Sequence, residues 1–247
     1  MRRNKHIKAK PFPFLTLPAE IRVRVYELLL QVPKPIQLEA SNRLRIAPLL
    51  NVLRVSRQLY DEAYRVFYAV NTFRIFSTDG RFFQTKSPLL SRLTPPYRTA
   101  ITTLELRLGP GWTAPPKRWI IEPKLGLGNC NALKMLKIFV EFDPSSSHVF
   151  LEWMSGRSLY TDFSTDLVAK IYEAVPSITQ VQFDGYQSVQ HEGDIMVALV
   201  AQAKSAQKKV TYGPLRGWSE NSVTLKVTDS DEEGMLDNTH LPLWVSV

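Results

Sequence analysis

The residues able to do chemistry are few and scattered along this chain. Histidine occurs at His6, His148, His191 and His240. None of these pairs has the H-E-x-x-H spacing that sets two imidazoles one helical turn apart for zinc. His191 opens the run HEGDI, which has the glutamate but no second imidazole. There is no G-x-S-x-G elbow, no phosphate-cradling Walker loop and no kinase signature. The glycines of GLGN, Gly126–Asn129, follow no predicted strand and lack the rest of a dinucleotide fingerprint, so they read as a loop. Cys130 stands just ahead of a predicted strand, where a lone thiol reads as packing rather than as a nucleophile. Glu141 and Asp143 lie near a strand end without an assembled acid–base partner. We therefore expect no catalytic residues, no metal ligands and no cofactor.

Composition narrows the classes further. The chain has 247 residues, 44% of them hydrophobic and 22% charged, which fits a globular protein with a sizeable core. A single cysteine excludes an internal disulfide and a cysteine-cluster zinc site, and it suits a reducing compartment, cytoplasmic or nuclear. No run approaches the roughly 18 apolar residues of a membrane helix, and no signal-peptide core can be drawn. Arg2, Arg3, Lys5, Lys8 and Lys10 supply more than half of the formal charge of +8. This basic arm, residues 1–13, could contact phosphate or act as an import signal, but a frayed, solvated terminus is the commoner fate. No nucleic-acid fold motif accompanies it, which disfavours a nucleic-acid partner.

Elements that could position a binding site are clearer. In FLTLPAEIRVRVYELLLQV, Phe14–Val32, Pro18 suits a helix start and Glu20 complements the helix dipole. Ile21, Val25, Leu28 and Leu29 recur at helical spacing, with Arg22, Arg24 and Glu27 away from that stripe. Pro33 and Pro35 should end this helix and open a loop to about Ala47. A second helix is expected after Pro48, with Leu49, Val52, Leu53, Ser56, Leu59, Ala63, Val66 and Phe67 on one face. The two would pack as a helical hairpin. From Thr72 the period changes to alternation in TFRIF.

The remainder, residues 71–247, mixes strands and helices. Three runs share the form L-x-x-L-x-L: Ile101/Leu104/Leu106, Leu133/Leu136/Ile138 and Ile178/Val181/Phe183. That is the strand signature of leucine-rich repeats, yet the spacing of 32 and then 45 residues exceeds the usual ~20–29. Degenerate repeats and ordinary αβ units both remain open. Helices are expected over 161–175, capped by Ser164, and over 194–207, starting at Asp194. Further strands are expected at 208–212 and 222–228, then an acidic turn at 229–234 and a docked tail at 241–247. The Pro- and Gly-rich stretch 109–129 reads as a surface loop. Its Trp112 and Trp119 would either anchor a target or pin the loop to its own domain.

Together, LPAEIRVRVYELL and, after a loop, LLNVLRVSRQLYDEA resemble the F-box. The run to VFYAVNTFRIF is similar to a large group of fungal F-box-like proteins, whose second helix ends in Y-x-x-N-T-F. The resemblance covers about Phe14–Phe76. It implies a helical module at 14–70 that binds the adaptor subunit of a cullin-based (SCF-type) ubiquitin ligase, with the C-terminal region capturing a protein target. Leu17, Pro18, Glu20, Ile21, Val25, Leu28 and Leu29 would supply the first docking helix, and Val55 and Leu59 the second. The expected fold is thus α+β: an F-box-like hairpin, then an irregular leucine-rich-repeat-like region with a mixed or parallel sheet. The other reading is a stand-alone interaction domain, for protein or nucleic acid, whose N-terminal helices are merely part of its own core.

Overall fold

The computed structural model describes residues 12–37, 39–78, 87–109, 116–143 and 159–219. The basic arm up to Pro11, Trp112, the strand expected at 222–228, the acidic turn and the apolar tail lie outside the described residues. The chain divides into one compact unit, Met1–Gly217, and a second, Trp218–Val247.

The first unit opens with three helices: α1 (Ala19–Leu30), α2 (Ala40–Leu49) and α3 (Arg57–Val70). The expected hairpin thus gains a helix, because residues 40–47 are helical rather than loop. The second predicted helix is also interrupted. Pro48 lacks the N–H that would continue the ladder, and a 3-10 turn over Leu50–Arg54 follows it. The chain then restarts at Ser56, whose Oγ accepts the Leu59 amide at 3.2 Å as an N-cap. Ser56 is therefore a cap and not part of an apolar face. Beyond it α3 buries Leu59, Ala63, Val66 and Phe67 along one side, at the expected helical spacing.

Asn71 joins this helical end to the sheet. Buried at the end of α3, its side chain accepts the Val32 amide (2.7 Å) and donates to the carbonyls of Leu30 and Phe67 (both 2.9 Å). It thereby satisfies the C-terminal carbonyls of two helices at once. The chain continues directly into β1 (Thr72–Arg74). Ile36 lies along the edge of this strand, accepting from Arg74 and donating to the Thr72 carbonyl, each at 2.8 Å.

Two short helices, α4 (Leu89–Arg92) and α5 (Pro95–Thr99), lead to β2 (Thr103–Leu108). Then come β3 (Met135–Val140), α6 (Leu159–Ala174), β4 (Gln180–Gly185), α7 (Asp194–Ser205) and β5 (Lys209–Tyr212). The strands form one parallel sheet in the order β1-β2-β3-β4-β5, so of the mixed and parallel alternatives the parallel one holds. In a sheet of sequential parallel neighbours, right-handed crossovers carry the connections on one face. The buried row Phe73–Leu104–Leu136–Val181 and the row Leu106–Ile138–Phe183 run across the strands in register on that face. Ile101, Leu133 and Ile178, the leading residues of the three repeated runs, are buried with them.

Two local expectations fail for simple reasons. Helix α6 begins more than a turn before Ser164, which is therefore an interior residue, fully buried, and not a cap. GLGN is not the open loop expected: Leu127–Asn129 form a 3-10 turn, and Gly126 stands at its start in a conformation that favours glycine. It adopts φ +80°, and a Cβ there would lie 2.0 Å from Nη1 of Arg98.

The Asn71 clasp carries a direct prediction. Asn71→Ala orphans the Leu30 and Phe67 carbonyls and the Val32 amide. It should lower the unfolding free energy by about 1–3 kcal/mol. Urea denaturation of the two proteins checks this.

Candidate functional site

The feature that stands out is the roll of α1. This helix buries Arg22, Tyr26 and Leu30, not its aliphatic stripe. Arg22 grips Glu62 of α3 with two bonds, Nε to Oε2 at 2.9 Å and Nη2 to Oε1 at 2.6 Å. Its third nitrogen donates to the Leu17 carbonyl, and Tyr26 donates its hydroxyl to Glu62 at 3.0 Å. The fork geometry of guanidinium and carboxylate gives this pair both strength and a fixed orientation. The Arg22 hydrogen bonds hold the Glu62 carboxyl down at about 2, well below its usual 4.5. Burial, reinforced by the contact with Glu62, pushes the Tyr26 hydroxyl up to about 12. The expectation that Arg22 lies away from the inner face is thus corrected: a guanidinium can be inner when a carboxylate waits for it.

With Arg22 inward, the aliphatic residues point outward. Ile21 is 50% exposed, Val25 39%, Leu28 70% and Leu29 44%. Pro18 and Glu20 are exposed too, and Leu17 is half-buried. Val55, at the break before α3, is 70% exposed. Leu59 differs from the rest of the expected partner-binding set. It sits on the inner side of α3, buried in this chain's own core.

Trp119 is likewise a core residue. It is 3% exposed and stacks on Phe76 with ring centroids 4.9 Å apart, so it pins its loop rather than offering an anchor to a target. A cavity of about 320 Å³ opens beside it, lined by Phe76, Ser77, Ser91, Lys117 and Lys124 among others. Neither Cys130 nor any histidine is among its described lining residues.

The Cys130 thiol is buried, and desolvation pushes its pKa up to about 11, which disfavours the nucleophilic thiolate at neutral pH. His191 hydrogen-bonds the Tyr212 hydroxyl at 3.0 Å, and Glu141 is held by Arg107. His6, His148 and His240 lie outside the described residues. No group of three or more potential metal ligands occurs among the described residues. No helix among them is long and apolar enough to cross a membrane.

A second surface was not anticipated from the sequence. On the face of the sheet opposite the core, the Arg107 guanidinium lies 4.8 Å from the centre of the Phe139 ring and 5.5 Å from that of Tyr186. Arg107 also donates to the Tyr186 hydroxyl at 2.6 Å, and the two rings meet edge to face at 5.1 Å. The signal was present in the alternation of β3, whose off-core positions include Phe139, an aromatic residue where polar ones prevail. Nearer β1, the same face holds the buried pair Arg74–Glu105 at 2.8 Å, with Arg74 also bound to Gln37 and to Thr78.

Compared with known protein families, curated proteins and solved structures, the chain has no match.

The Arg22–Glu62 pair makes stability depend on acid in a defined window. The Glu62 pKa is lower folded than unfolded, so its contribution is complete above about 4.5 and disappears as pH falls toward about 2. Glu62→Gln should melt at a lower temperature than the parent at pH 7, and the difference should shrink steadily between those pH values. Thermal unfolding across that range measures it.

Proposed function

We propose that this chain is a non-catalytic interaction adaptor, the substrate-recognition subunit of a cullin-based (SCF-type) ubiquitin ligase. In this reading α1 docks on the ligase's adaptor subunit through Ile21, Val25, Leu28 and Leu29, with Pro18, Glu20 and Val55 beside them. The region after Asn71 receives a protein target, and the site of action is cytoplasmic or nuclear.

One observation carries this reading: α1 turns an arginine into the core and leaves its aliphatic side exposed. Surface helices ordinarily bury their aliphatic stripe, and exposed apolar patches mark interaction sites. An amphipathic helix laid into an apolar groove gains free energy from the same i, i+4, i+7 anchors that are exposed here. The L-P-x-E-I opening, the V-S-R-x-L start of α3 and the Y-x-x-N-T-F junction support the F-box-like assignment. The sequential parallel strands with L-x-x-L-x-L inner rows support a degenerate leucine-rich-repeat-like target domain. The alternative, in which the N-terminal helices serve only this chain's core, leaves the exposure of Ile21 and Leu28 unexplained.

The test uses the purified ligase adaptor subunit and isothermal titration calorimetry. The chain should bind it, and Ile21→Glu/Leu28→Glu should weaken binding at least tenfold. Both residues are exposed, so the melting temperature should hardly move. Absence of binding by the parent chain, or equal binding by the variant, would overturn the proposal.

A further inference from the structure

The off-core face of the sheet has a charge imbalance that points to what it binds. Among the described residues, Glu105 and Asp184 lie on its strands and Glu141 directly follows β3, and each of these carboxylates is engaged. Glu105 is taken by Arg74, and Glu141 by Arg107. Asp184 accepts the amides of Gly185 (2.9 Å), Leu215 (3.1 Å) and Arg216 (3.0 Å). Two cations on the same face, Lys137 and Lys209, have no ion pair among the described residues. The charge left for a visitor is therefore positive.

Register places these lysines around the aromatic platform. Lys137 is two residues before Phe139 on β3, and its row continues through Gln182 to Thr211. Lys209 lies two residues before Thr211 on β5. Two strand spacings across and two residues along put the lysines about 12 Å apart, about four residues of an extended chain. Beside Lys137, the half-buried Phe139 ring is braced by Arg107 and by Tyr186, itself 45% exposed. Aromatic and arginine side chains held rigid in this way are the residue types that dominate binding hot spots.

We propose that this face docks an extended acidic peptide segment of a partner protein. Carboxylates about four residues apart meet Lys137 and Lys209, an apolar side chain rests against Phe139 and Tyr186, and Gln182 is placed to bond the peptide backbone. The inference rests on the adaptor reading, to which it adds the chemistry of the target. A nucleic acid suits the face less well, because Glu105, Glu141 and Asp184 would stand against its phosphates, with Lys137 and Lys209 the cations without an ion pair among the described residues of the face.

The experiment is fluorescence anisotropy with the full chain and a labelled dodecapeptide repeating Glu-Glu-Phe-Glu. The comparison probes are the same peptide with lysine for glutamate, the same with alanine for phenylalanine, and a twelve-residue oligothymidylate. The acidic phenylalanine peptide should bind best. Lys137→Glu/Lys209→Glu should weaken it at least tenfold, whereas Lys124→Glu/Lys204→Glu, an equal change of net charge elsewhere, should have a much smaller effect. Phe139→Ala should erase the difference between the phenylalanine and alanine peptides. The idea fails if the acidic peptide does not bind, if the two charge-reversed proteins bind it equally, or if oligothymidylate binds more tightly and depends on the same lysines. The Ile21→Glu/Leu28→Glu protein should keep its peptide affinity, so loss of ligase docking and loss of target binding are separately visible.

Discussion

A bidentate ion pair between Arg22 and Glu62 sets the roll of the first helix, and the character of the helical end follows from it. Withdrawing a guanidinium from water is costly unless its donors are satisfied, and here they meet a carboxylate and the Leu17 carbonyl. A well-packed apolar pair of similar volume can stabilise a fold as much or more. The consequence of the arginine is thus chiefly orientation. With Arg22, Tyr26 and Leu30 turned inward, the four aliphatic residues of the stripe have no place in the core and remain at the surface.

The sheet extends the same division of labour. Its strands follow in sequence with their apolar rows on one side, so that face is dry, and the other carries polar and aromatic side chains, buried near β1 and half-exposed farther along. Asn71 links the two parts, because one amide side chain closes the ends of α1 and α3 where β1 begins. The exposed side of α1 and the off-core face of the sheet are then carried by one compact unit.

Much of this was legible from pattern. The three L-x-x-L-x-L runs became β2, β3 and β4 with their apolar residues inward, since a period of two admits only two assignments of face and one of them is apolar. The inner residues of α3 were legible for the analogous helical reason. Other features were hidden. α2 is short and polar, with Asn42 and Ile46 buried among its described side chains, so its sequence resembles a loop. Ser56 looked like a small member of an apolar stripe, because a cap is recognised by the backbone around it. Trp119 looked like an available anchor until Phe76 was seen stacked against it.

The amino-acid order by itself determined the long amphipathic helices, the strands of the sheet and which side of each strand is apolar. Tertiary structure decided which side of α1 faces in and where the free cations of the sheet lie. Both depend on partners distant in sequence: Glu62 lies 40 residues beyond Arg22, and Arg74 lies 31 residues before Glu105. Side-chain periodicity records local preference for oil or water, whereas a buried charge is tolerated only where the fold brings its counter-charge.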